Sequence, residues 1–243
     1  MTLRITGGRK LLSPPGDIAR PTASRVRLAV MNLLADSLPG CRWLDLCCGS
    51  GVMACEALQR GASSVVAIDQ DRRIAAIART NLEAVAQGQS PKPQVSVHCR
   101  EVRRWLNQRA PEAFDLIYAD PPYAAGLYPA LAEGVAQGGW LRRGGVMVWE
   151  YASHTCPDVP EGWCLNDQRR YGSSSVMLLT LLSAVEEGAA AVLVPGGHEE
   201  AEHGHRNQTE HDAAEQGFDH GNTEGAVRAQ FFHAHGHHRE GQR

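Results

Sequence analysis

Between residues 42 and 150 short apolar runs alternate with stretches of helical periodicity, and no other feature limits the fold so tightly. WLDL (43 to 46) precedes a helix from about Gly51 to Arg60, and VVAI (65 to 68) one from Asp71 to about Val85. VSVH (95 to 98) precedes a helix from about Glu101 to Gln108, FDLIYA (114 to 119) one near Tyr128 to Gln137, and VMVWE (146 to 150) follows. Strands alternating with helices at this spacing join by crossovers that leave them parallel and covered on both faces. The expected architecture is a doubly wound α/β domain. Two further strands, WCLNDQRRY (163 to 171) and SSVMLLTLL (174 to 182), read as an antiparallel edge pair that brings the sheet to seven.

Upstream, SRVRLAVMNLLADSL (24 to 38) is an amphipathic helix, capped by Thr22 or Ser24, with Val26, Val30, Leu33, Leu34 and Leu38 in one stripe. Arg25 and Arg27 fall off the stripe and are free to face solvent or a partner. With Arg4, Arg9, Lys10 and Arg20 they make the first 30 residues basic, the pattern of a phosphate-contacting surface. The net charge of −3 divides unevenly: the last 60 residues hold 4 of the 24 Lys+Arg and 11 of the 27 Asp+Glu, leaving the first 183 residues at +4. That tail carries 9 of the 11 histidines and one apolar stretch, AAAVLV (189 to 194). It buries too little to offset ordering entropy, so disorder is expected, and its His-rich tracts assign no metal site. Residues 1–40 thus read as a basic extension and helix, 41–183 as the catalytic domain and 184–243 as an acidic tail.

Seven cysteines without a C-x-x-C pair fit neither zinc nor a complete disulfide framework. The absence of a membrane-length apolar run and of a signal peptide leads to an expected cytoplasmic location.

LDLCCGSGVMA (44 to 54) sets a glycine-rich turn between the first parallel strand and its helix, where Gly49 and Gly51 let backbone approach a ligand. Asp69 ends the second strand and offers two acceptors to a ribose. These features admit a dinucleotide or another adenosine-containing cofactor. Asp45, inside the first strand, favours the second: it is welcome beside the sulfonium and ammonium of S-adenosylmethionine and awkward beside a pyrophosphate.

YADPPY (118 to 123) follows the fourth strand. Prolines fix φ and restrict their predecessors, so Asp120, Pro121 and Pro122 form a stiff corner. The Asp120 carboxylate and Pro121 carbonyl accept hydrogen bonds, and Tyr123 offers a ring face. That set suits the exocyclic amine of a nucleobase.

RITGGRKL, ARPTASRVRLAVMNLL, LDLCCGSG, Asp69 and DPPY, in that order over residues 3 to about 182, resemble class I S-adenosylmethionine-dependent methyltransferases, and more narrowly the RsmD family of 16S rRNA guanine-N2 methyltransferases. RPT-x-x-RVR is the narrow part of the signature. The resemblance implies a Rossmann-like methyltransferase fold and a cofactor site lined by Asp45, Gly49, Gly51, Asp69, Glu101 and Val102, with Glu101 near the adenine amine. It also implies 16S rRNA as partner, free or within an assembling small subunit, and a monomer. Adenine or cytosine amino-methylation in DNA uses a similar loop, but the body has no room for a target-recognition domain. A nicotinamide oxidoreductase would leave DPPY and Asp45 without a role.

Overall fold

The computed structural model describes residues 3–14, 24–122 and 126–182. Seven strands form one sheet: β1 (Arg42–Leu46), β2 (Ser64–Asp69), β3 (Gln94–Cys99), β4 (Phe114–Ala119), β5 (Leu141–Ala152), β6 (Trp163–Tyr171) and β7 (Ser174–Leu181), in the order β3-β2-β1-β4-β5-β7-β6. The first five run parallel, and β7 and β6 close one edge antiparallel. The expected seven-stranded, mostly parallel sheet with its antiparallel edge pair is the observed one.

Among the described residues five α-helices cover the sheet: α1 (Ser24–Leu33), α2 (Val52–Gln59), α3 (Arg72–Ala86), α4 (Val102–Leu106) and α5 (Tyr128–Gly138). Alternate strand residues point to opposite faces. Trp43, Val65, Leu116, Tyr118 and Val148 therefore pack on the side of α1, α2 and α3, while Leu44, Ile68, Ile117, Met147 and Trp149 pack with residues of α4 and α5. The reading of continuous apolar runs as strands covered on both faces holds at each of these positions.

Helix α1 is shorter than its apolar stripe. After Leu33 the chain tightens into a 3₁₀ turn, Ala35–Ser37, in which Leu34 accepts from both Ser37 and Leu38; Leu38 stays fully buried. Residues 3–11 form a tight hairpin with an isolated Arg4–Lys10 bridge, and Leu3, Ile5 and Leu11 enter the same core as α1 and β1. The N-terminal segment is thus built into the body through the described part of residues 1–40.

The strand order changes direction between β1 and β4, whose successors lie on opposite sides. Beyond the carboxyl ends of two such strands a crevice opens, because the following connections diverge.

Candidate active site

A cleft of about 870 Å³ lies at this divergence. Its wall at β1 is the glycine turn. Cys47, Gly49 and Gly51 adopt left-handed φ values of 61°, 54° and 75°, so the backbone doubles back between strand and helix. Glycine takes this conformation at little cost, whereas Cys47 sits in a sparsely populated region for a side chain with Cβ. The Cys48 N–H donates to the Ile68 carbonyl at 2.8 Å, and the Gly49 N–H to Asp69 Oδ2 at 3.0 Å. Asp69 Oδ1 accepts the Asp71 N–H at 2.9 Å. Asp69 thereby fixes the turn against β2 while each oxygen keeps a lone pair for another donor. Burial raises its pKa, against the pull of the Asp71 and Gly49 N–H groups.

Gly51 stands behind the cleft. A Cβ there would come within 3.2 Å of the Ala78 Cβ on α3, so this glycine serves helix contact as well as the turn. Asp45 points to the base of the turn, 1% exposed, and accepts the Ala54 N–H at 3.2 Å. Burial first, then the Asp69 charge, pushes its pKa up to about 8 despite that hydrogen bond.

Glu101 and Val102 line the far wall. The Glu101 carboxylate caps α4, accepting the Arg103 and Arg104 N–H groups at 3.1 and 2.9 Å, and also pairs with the Arg103 guanidinium. These donors hold its pKa below the usual carboxylate value despite the opposing effect of desolvation. A carboxylate so engaged is a helix cap before it is a ligand group.

Asp120, Pro121 and Pro122 form the wall at β4, and Tyr123 lies outside the described residues. Burial, then Glu150, then Asp45 push the Asp120 pKa well up. Glu150 is the residue that the sequence reading missed. It lies on β5, is 2% exposed, lines the cleft and accepts the Tyr118 hydroxyl. The available signal was its position: like Asp45, Asp69 and Asp120, it is an acid at or near the carboxyl end of an apolar strand. Asp45, Asp69, Glu101, Asp120 and Glu150 together give the cleft an acidic lining.

The basic candidates separate. Arg4, Arg9, Lys10 and Arg25 are exposed, the Arg4 and Arg9 guanidinium groups donating to the Gly8 and Ala84 carbonyls; Arg20 lies outside the described residues. Arg27 corrects the expectation of a solvent- or partner-facing residue. It is 7% exposed, its Nε donates to Glu56 Oε1 at 3.0 Å, and its Nη2 donates to the Arg4 carbonyl at 2.8 Å. Glu56, fully buried on α2, also accepts the Thr6 N–H and pairs with Arg60. A charge placed in a core demands such a partner, and α1 supplies it.

A doubly wound sheet with its cleft at the β1/β4 divergence, a glycine turn on one side and an acid-lined proline corner on the other, defines a Rossmann-like methyltransferase domain. Solved structures agree in fold: yhhF from Escherichia coli superimposes with a TM-score of 0.65 at 28% identity, covering 74% of this chain and 98% of that one. The chain belongs to the family described as Conserved hypothetical protein 95, which matches residues 3–180 and is the RsmD family of the sequence resemblance. Ribosomal RNA small subunit methyltransferase D of Escherichia coli strain K12 is 29% identical over 181 residues, 72% of this chain and 88% of the relative. The Haemophilus influenzae protein of the same name is 27% identical over 172 residues, 70% and 88% of the two chains.

Proposed function

We propose that this protein transfers a methyl group from S-adenosylmethionine to the exocyclic N2 of a guanine in 16S rRNA, as a monomer acting on the small subunit or its assembly intermediate. The observation that carries the reading is that Asp120 and its proline corner share one cleft with Asp45, Gly49 and Asp69. The names of the two rRNA methyltransferase relatives support the substrate class.

The donor set suits this cofactor. Asp45 is a buried acid that ionises readily only beside a cation, Asp69 has lone pairs for ribose hydroxyls, and Val102 lines the same cleft. A pyrophosphate among Asp45, Asp69 and Asp120 would oppose the ionisation of each, whereas a cation favours it, which argues against a nicotinamide cofactor. When bound, S-adenosylmethionine supplies an electrophilic methyl on a sulfonium.

The chain's own residues do the rest. A guanine amine is a poor nucleophile because its lone pair is delocalised into the ring. The Asp120 carboxylate and Pro121 carbonyl accept its two N–H bonds, which turns the lone pair out of conjugation and towards the methyl. Positioning and fixed charge carry such a transfer. Tyr123 stacks on the base, a contact worth about 1 to 3 kcal/mol that offsets part of the cost of extracting it. Arg4, Arg9, Lys10, Arg20 and Arg25 hold phosphates, which positions the RNA without reading its sequence.

Asp120→Ala tests the assignment. Methyl incorporation into small-subunit rRNA should fall by at least about a hundredfold, as for loss of one preorganised polar group. Affinity for S-adenosylmethionine, measured by calorimetry, should change little because Asp120 touches the acceptor. A variant that methylates at the normal rate overturns the role, and mass mapping of the modified nucleotide checks guanine N2.

A further inference from the structure

Glu150 has no task in the reaction as described. Its place relative to Asp120 starts from strand register. Ala119, the last residue of β4, pairs with Trp149 in the parallel β4–β5 ladder; Glu150 follows Trp149 on β5, and Asp120 is the first residue past the end of β4. Neighbouring strands lie about 4.8 Å apart, and residues two apart along a strand share a face. Tyr118, two residues before Asp120, donates its hydroxyl to Glu150, so these two side chains belong to one face of the sheet, at the strand end from which Asp120 enters the cleft. Both carboxyls line the cleft, as do Tyr118 and Ser174.

We propose that Glu150 is a positioning residue of the reaction: pinned by Tyr118 in the cleft, it decides when Asp120 carries the charge that grips the amine. This rests on the assignment of Asp120 above. Two carboxyls this close in a partly dry site resist ionising together and hold one proton between them. Burial raises the pKa of both acids; the Tyr118 hydroxyl pulls Glu150 back towards charge, while Glu150 and Asp45 push Asp120 further towards its neutral form.

The other groups around Asp120 are the Asp45 carboxyl from β1, the Tyr118 phenol from β4 and the Cys47 thiol from the glycine turn. His154 and Arg100 line the same cleft. Once Asp120 has given up its proton to solvent, its carboxylate accepts a hydrogen bond from the amine. In the transfer the carbon–sulfur pair stays on sulfur, the nitrogen lone pair forms the new N–C bond, and the cationic amine sheds a proton to Asp120. The pair is thereby reset, and the proton lost to solvent is the one the reaction releases.

The test is the pH dependence of kcat at saturating S-adenosylmethionine and small-subunit rRNA for wild type, Glu150→Gln, Tyr118→Phe and Asp120→Asn. Glutamine keeps an acceptor for Tyr118 and removes the charge, so the acidic limb should move to lower pH. At the foot of the wild-type limb, the variant rate relative to its own plateau should exceed the wild-type fraction by about tenfold, the effect of one pH unit. Tyr118→Phe should move the limb in the same direction by less, because Glu150 without its donor keeps the shared proton more readily. If Glu150→Gln fails to fold, Tyr118→Phe decides. An unmoved limb with Asp120→Asn inactive overturns the role of Glu150 alone; an active Asp120→Asn overturns the reading beneath it.

Discussion

Asp45 shows what the cleft asks of a single residue. Its carboxyl ionises at about 3.9 in an unfolded chain, whereas burial and Asp69 push it up to about 8 here. A group raised on folding contributes its full stability below the unfolded value and loses it as pH climbs through the folded one. Asp45→Asn cannot ionise, so its melting temperature should gain on wild type as pH rises from about 4 to about 8. Thermal melts across that window check the sign; a constant difference would mean that Asp45 is not the titrating group. Residues of this kind were legible in the chain. Asp45, Asp69 and Asp120 each lie at or near the end of an apolar run, and a parallel sheet places such ends on one side. Glu150 obeys the same rule and was missed because VMVWE carries no glycine or proline corner to mark it.

At the scale of elements, the N-terminal hairpin, α1 and α2 meet at one ion-pair cluster around Glu56. Removing Arg27 leaves the buried Glu56 with Arg60 as its remaining counter-charge and one oxygen short of a charged donor, so Arg27→Ala should cost about 2 to 3 kcal/mol, read from urea unfolding. Arg25, one residue earlier and exposed, should cost little stability when changed to Ala but weaken rRNA binding and flatten its salt dependence. Equal losses of stability for the two would contradict the division drawn here. Helical periodicity put Arg25 and Arg27 together off the apolar stripe. Only the packing of α1 on α2 separates them, since Glu56 lies 29 residues further on. Asn81 on α3 is a similar case: its amide donates to the carbonyls of Leu12 and Ser50 at 3.0 Å and its oxygen accepts the Leu12 N–H at 2.8 Å. It ties the N-terminal segment to the glycine turn, a contact with no local signature.

For the whole molecule, charge is divided between a mildly basic body and an acidic tail. Residues 184–243 lie outside the described residues, and the family match ends at residue 180. We expect a chain ending at Ser183 to melt at the same temperature and to methylate small-subunit rRNA at the same rate. A large loss of either would assign the tail a part in the fold or in catalysis. No helix among the described residues is long and apolar enough to cross a membrane. The sequence by itself determined the alternation of strands and helices, the glycine turn and the acids at the strand ends, because each depends on residues a few positions apart. The tertiary structure alone decided the order β3-β2-β1-β4-β5-β7-β6, the pairing of Arg27 with Glu56 and the sharing of one cleft by Asp120 and Glu150. These join residues from about 30 positions apart to opposite ends of the sheet, where local propensity carries no information and the burial of charge selects the partner.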